Sequence, residues 1–78
     1  MKMFRSPRGK IHPKSLTPRQ REVVRLLAEG KTMREAANAL SISMRTVAFH
    51  KYRVMREFGF TTNTDLIRFA MKRHIIGG

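Results

Sequence analysis

Between Ser43 and Arg56 the chain carries Arg45, Lys51, Arg53 and Arg56, the rings of Phe49 and Tyr52, and one histidine, His50. Guanidinium and ammonium groups bind phosphate, while rings and small apolar side chains meet base edges and methyl groups. At about 100° per residue, Val47, Val54 and Phe58 fall on one side of a helix, with Met55 at its edge. Arg45, Phe49, Tyr52, Arg53 and Arg56 project the other way, and Ala48 lies on the shoulder. This spacing predicts a helix that buries one side and offers the other to a nucleic-acid groove. On that reading Ala48 and Phe49 suit thymine methyls, and Tyr52 and Arg53 suit base acceptors or phosphates. Arg45, Thr46, Lys51 and Arg56 suit phosphates. His50 falls between the two faces, either half-buried with a bond to the backbone or touching phosphate. The competing reading shifts the phase by one residue, puts Phe49 in the core, packs Tyr52 on a neighbour and leaves the arginines solvated.

The elements that position this segment are written in local signals. Thr17, Pro18 and Gln20 make a capping box with proline at the first helical position, and Leu16 stands where a hydrophobic staple begins. Val23, Val24 and Leu27 continue a helical stripe with Gln20 on its line and Leu26 alongside, and Gly30 is expected to end the helix in the left-handed conformation. Thr32 and Glu35 open a second helix whose stripe is Met33, Ala36, Ala37 and Leu40. The two alanines allow a close crossing by another helix. Ser41, Ile42 and Ser43 form a short turn, Ser43 caps a third helix over about 44–58, and Gly59 stops it. Thr62 and Asp65 cap a fourth helix, expected to run to about His74. Leu66, Ile67, Phe69, Ala70 and Met71 cover roughly 200° of that helix, wider than the ~100° stripe one core needs.

Composition narrows the class of partner. The 78 residues make one small domain with a marginal core, so a partner or second subunit is expected. Seventeen basic against five acidic residues give a formal charge of +12, which favours a polyanion: nucleic acid first, an anionic membrane surface second. There is no cysteine, so disulfides, thiolate metal sites and cysteine nucleophiles are excluded. His12, His50 and His74 lie too far apart in sequence to suggest a zinc site, and no cofactor is implied. No apolar run approaches the roughly 20 residues that span a bilayer, and residues 1–15 lack a signal-peptide core, so a cytoplasmic protein is expected. Residues 1–15 read as a flexible basic arm, with Lys2, Arg5, Arg8, Lys10 and Lys14 among helix breakers. Within it Pro7-Arg8-Gly9-Lys10 faintly resembles the centre of an AT-hook; a solvated tail is the plainer reading.

The run from Leu16-Thr17-Pro18-Arg19-Gln20-Arg21-Glu22 through Leu26-Leu27-Ala28-Glu29-Gly30 resembles the opening of the LuxR-type (GerE-like) helix-turn-helix domain. The resemblance continues through Glu35-Ala36-Ala37, Ile42-Ser43, Arg45-Thr46-Val47, His50, Gly59, Asp65-Leu66-Ile67 and Ala70, and covers residues 16–76. It implies an all-α, four-helix domain over residues 16–78 that binds double-stranded DNA as a homodimer. The third helix would enter the major groove. Positions matching Ala48, Phe49, His50 and Tyr52 would meet DNA, with Thr46 at the backbone. The fourth helix would supply the dimer contact through Leu66, Phe69, Ala70 and Arg73. Glu22 matches a position of structural polar contacts. Such domains are usually attached to a receiver or ligand-binding domain, so the resemblance implies a stand-alone regulator or the output domain of a longer one. Two departures stand out: Ala48 falls where relatives often have lysine, and Phe49 is bulkier than the usual small residue.

Catalysis is not expected. Glu22, Glu29, Glu35 and Glu57 read as helix-surface or cap residues, and no nucleophile–base motif is visible. The other class compatible with the charge is a protein-interaction or anionic-surface module using the fourth helix and the basic arm. The repeated capping grammar argues against a helix that forms only on lipid.

Overall fold

The computed structural model describes residues 16–73 and Ile75. The arm expected at residues 1–15, with its Pro7-Arg8-Gly9-Lys10 motif, lies outside the described residues. Among those residues the chain is all-α: α1 (Pro18–Ala28), α2 (Met33–Leu40), α3 (Met44–Phe58) and α4 (Asn63–Lys72).

Three of the four helices open with reciprocal capping boxes. Thr17 Oγ1 accepts from the Gln20 N–H at 3.1 Å, and Gln20 Oε1 accepts from the Thr17 N–H at 3.0 Å. Thr32 and Glu35 do the same at 3.0 and 2.8 Å, and Thr62 and Asp65 at 3.1 and 3.2 Å. α3 is capped differently. Ser43 Oγ accepts from the Thr46 N–H at 3.1 Å, and the two hydroxyls lie 3.0 Å apart, so this end carries no carboxylate. Each such cap stabilises its helix by about 1 kcal/mol.

The helix ends are equally regular. Gly30, Ser41 and Gly59 follow α1, α2 and α3 with φ of 97°, 57° and 75°, all in the left-handed region. The next residue's N–H then reaches back across the last turn: Lys31 to Leu26 O at 3.1 Å, Ile42 to Ala37 O at 3.0 Å, Phe60 to Met55 O at 2.8 Å. Ser41 is the one of the three with a Cβ, and that conformation costs it about 1 kcal/mol. α4 ends earlier than expected, at Lys72. The Arg73 N–H closes on Phe69 O at 3.0 Å and the Ile75 N–H on Ala70 O at 2.8 Å, which turns the chain back onto the core.

Two apolar clusters hold the helices together. One joins Val23, Leu26, Ala36, Ala37 and Val47, with Met33, Leu40 and Ile42 against it. The other joins Val24, Val54, Leu66, Phe69, Ala70 and Ile75, with Phe58 and Phe60 against it. α1 is the wall they share, which explains why its adjacent Val23 and Val24 are both fully buried. α3 spans both, Val47 at one end and Val54 two turns later. At about 1.5–3 kcal/mol per buried side chain, these contacts fix α3 at two points along its length.

The fourth helix corrects one expectation. Leu66, Phe69 and Ala70, expected at a dimer contact, are 2%, 9% and 0% exposed and belong to their own chain's core. The wide apolar arc serves two faces. Its other part, Ile67 and Met71, points to solvent at 37% and 57% exposure. Arg73 is exposed and lies over the aromatic corner, its guanidinium 5.0 Å from the Phe69 ring centre and 5.9 Å from that of Phe58. Glu22 pairs with Arg19 at 3.3 Å on the surface of α1, a contact worth about 0.5 kcal/mol.

Candidate nucleic-acid interface

α3 is 15 residues, about 22 Å long. Its phase is the one read from the sequence: Val47 and Val54 are buried, Met55 and Phe58 half-buried, and Phe49 and Tyr52 are 58% and 56% exposed. The reading that put Phe49 in the core is excluded.

On the outward face Arg45, Ala48, Phe49, Tyr52, Arg53 and Arg56 line one open hollow of about 330 Å³. Spacings of three and four residues place them along a single row and its shoulders. The Arg53 guanidinium sits 6.0 Å from the Phe49 ring centre, which holds the charge at the rim of the hollow. Among the described residues the ion pairs are Arg19–Glu22 on α1 and Arg25–Glu29 between α1 and its C-terminal cap. The arginines of α3 are therefore not engaged by acids of these residues and keep their donors for an anion. The first turn of α3 contains no acid, and Arg45 stands in it.

The remaining expected contacts lie on the flanks. Thr46 is half-buried and its hydroxyl is turned to Ser43. His50 is half-buried beside Phe49, with ring centres 5.4 Å apart at 70°. Lys51 stands furthest from the row. It is half-buried and lines a separate hollow of about 250 Å³ with Lys31, Thr32, Asn63 and Ile67. Its Nζ is 5.1 Å from the centre of the Tyr52 ring, so the charge borders the aromatic face without belonging to the row. Its helical position, about 40° from Val47, explains the displacement.

Two features were not read from the sequence. Met44, at the start of α3, is 42% exposed. Lys31 shares a hollow with Lys51, a pairing that no spacing along the chain signals because it arises from the α1–α2 turn meeting α3. Among the described residues no group of three His, Asp or Glu side chains is placed to hold a metal, and no helix is long and apolar enough to cross a membrane.

Two short helices joined by a three-residue turn, braced by α1 and presenting a cationic second helix, define a helix-turn-helix protein. The family model described as "Bacterial regulatory proteins, luxR family" matches residues 14–70, and the chain belongs to that family. It is 34% identical over 61 residues to the transcriptional regulatory protein MctR of Rhizobium johnstonii, covering 78% of this chain and 28% of that protein. It is 37% identical over 57 residues to YgeK of Escherichia coli, an uncharacterized response regulatory protein, covering 73% and 39%. It is 32% identical over 63 residues to the oxygen regulatory protein NreC of Staphylococcus aureus, covering 81% and 29%. The chain thus spans between about a quarter and two-fifths of these relatives. Its family makes it a DNA-binding domain of transcription regulation.

Proposed function

We propose that the chain reads specific double-stranded DNA by laying the outward face of α3 in the major groove, and that it does so as a homodimer in the cytoplasm. The observation that carries this reading is the row of Arg45, Phe49, Tyr52 and Arg56, with Ala48 and Arg53 beside it, on a helix fixed to the core at two points. A major groove admits an α-helix, and arginine is the commonest specific reader of guanine. Ala48, Phe49, Tyr52 and Arg53 contact bases; Arg45, Thr46, His50 and Arg56 hold phosphates; Lys51 reaches a phosphate from the flank. The dimer contact moves from the buried residues of α4 to its exposed apolar pair, Ile67 and Met71. The response-regulator name of one relative supports a covalently linked receiver domain as the input partner.

Anisotropy titrations of a duplex selected from random sequence, and of its scrambled counterpart, test the reading. Affinity for the selected duplex should fall on the order of a thousandfold between about 50 and 200 mM salt, as released counterions require. Equal, salt-insensitive binding to both duplexes sinks it. Ile67→Glu should leave the helical content unchanged and abolish the dimer in sedimentation; an unchanged oligomer removes the dimer assignment.

A further inference from the structure

The hollow on α3 has an unusual floor for a DNA-reading face. Phe49 and Tyr52 stand three residues apart, each more than half exposed, and Ala48, one residue before Phe49, lines the same hollow. The polar groups of the lining residues are the guanidiniums of Arg45, Arg53 and Arg56 and the Tyr52 hydroxyl. Phe49 has no donor or acceptor. Pressed against a base edge it strips water from N7, O4, O6 or an amino group and returns no hydrogen bond, which costs free energy. The C5 position of a pyrimidine escapes this cost, and of the two the C5-methyl of thymine offers a ring more apolar surface than the C5–H of cytosine.

We propose that the Ala48–Phe49–Tyr52 hollow seats the C5-methyl group of a thymine, which makes these three residues the determinants of one base pair in each half-site. The inference rests on the major-groove reading above. The alanine side chain leaves the volume that a longer residue at position 48 would fill. The Phe49 ring covers the methyl, and Arg53, held over that ring at 6.0 Å, closes the rim and donates to the neighbouring base or phosphate. The apolar contact sets which base is accepted, while the arginines set affinity.

The test removes the methyl and nothing else. The selected duplex is remade with each thymine in turn replaced by uracil, and binding of the wild-type chain and of Phe49→Ala is measured by anisotropy. For the wild-type chain, one position per half-site should weaken binding by about three- to tenfold, and the remaining positions by less than about twofold. In Phe49→Ala the sensitive position should become insensitive, with the salt dependence retained. If no thymine is sensitive while specific, salt-sensitive binding persists, the thymine assignment is overturned and the groove reading survives. Sensitivity that persists in Phe49→Ala overturns the assignment of the reading residue. If a single-stranded oligonucleotide binds as tightly as the duplex, the rings stack on bases and the inference fails. Loss of all specific binding by the wild-type chain sinks the groove reading itself.

Discussion

The two corners of this fold use the same backbone device and opposite chemistry. At the α2–α3 corner the chain turns through left-handed Ser41, caps α3 with two hydroxyls and packs Ala36, Ala37 and Val47 inside. At the α3–α4 corner it turns through left-handed Gly59, caps α4 with the Asp65 carboxylate and packs Phe58, Phe60 and Phe69. The rings there lie 4.7 to 5.7 Å apart between centres. Small residues set how closely two helices approach, whereas large rings bury area. The first corner therefore places α3, the helix proposed to read DNA, and the second supplies the stability that a small domain otherwise lacks. The charge at each cap follows the same division. A carboxylate at the start of α3 would repel phosphate, and this end has none; α4 carries one without that cost.

The comparison breaks most visibly at the second corner. Phe69→Ala should cost about 3 kcal/mol, because it opens a cavity beside the rings of Phe58 and Phe60 and removes one of the two rings under Arg73. Chemical denaturation followed by circular dichroism measures it, and a loss under 1 kcal/mol would contradict the role given to the rings. Ala36→Leu probes the first corner. Extra volume at a fully buried alanine should cost about 2 kcal/mol and should weaken specific DNA binding more than the stability loss accounts for, since α3 is displaced. If affinity, measured where the protein is fully folded, is unchanged, the alanines do not set the position of α3. Ser41→Gly should act in the other direction and stabilise by about 0.5–1 kcal/mol, because glycine adopts φ 57° without the Cβ penalty. The midpoint of urea unfolding reads that gain; a fall shows that the Ser41 side chain contributes more than its strain costs.

Most of this architecture was legible because it is local. Thr17 with Gln20, Thr32 with Glu35 and Thr62 with Asp65 are signals three positions apart, and each formed the box its spacing implied. The phase of α3 was legible because Val47, Val54 and Phe58 share one side at helical spacing while the arginines share the other. The partition of α4 was not. Leu66, Phe69 and Ala70 differ from Ile67 and Met71 in what covers them, and residue type does not say which apolar side chains meet α1 and which meet solvent. The hollow that Lys51 shares with Lys31 was hidden for a related reason: the meeting of α3 with the α1–α2 turn is set by tertiary packing. The left-handed Ser41 carried no signal, because serine does not mark that conformation as glycine does.

The caps separate the two corners by pH. Asp65 Oδ2 accepts from the backbone N–H of Thr61 at 3.1 Å and of Thr62 at 3.2 Å, and from the Thr61 hydroxyl at 3.4 Å. The backbone bond from Thr61, chiefly, holds this carboxyl below its ordinary value of 3.8, opposed by partial desolvation and helped by the remaining bonds. A carboxyl with a lowered folded pKa binds its proton less readily than in the unfolded chain. Its stabilisation is thus complete above the unfolded value, near pH 4, and is lost as the pH falls through the lower folded value. Asp65→Asn should therefore melt below the wild-type chain by a constant margin from about pH 7 to pH 5, and the margin should shrink below about pH 4. Ser43→Ala, which removes a cap with no titrating group, should keep its own margin through the same range. If the two variants respond to acid alike, the carboxylate does not distinguish the α4 cap from that of α3.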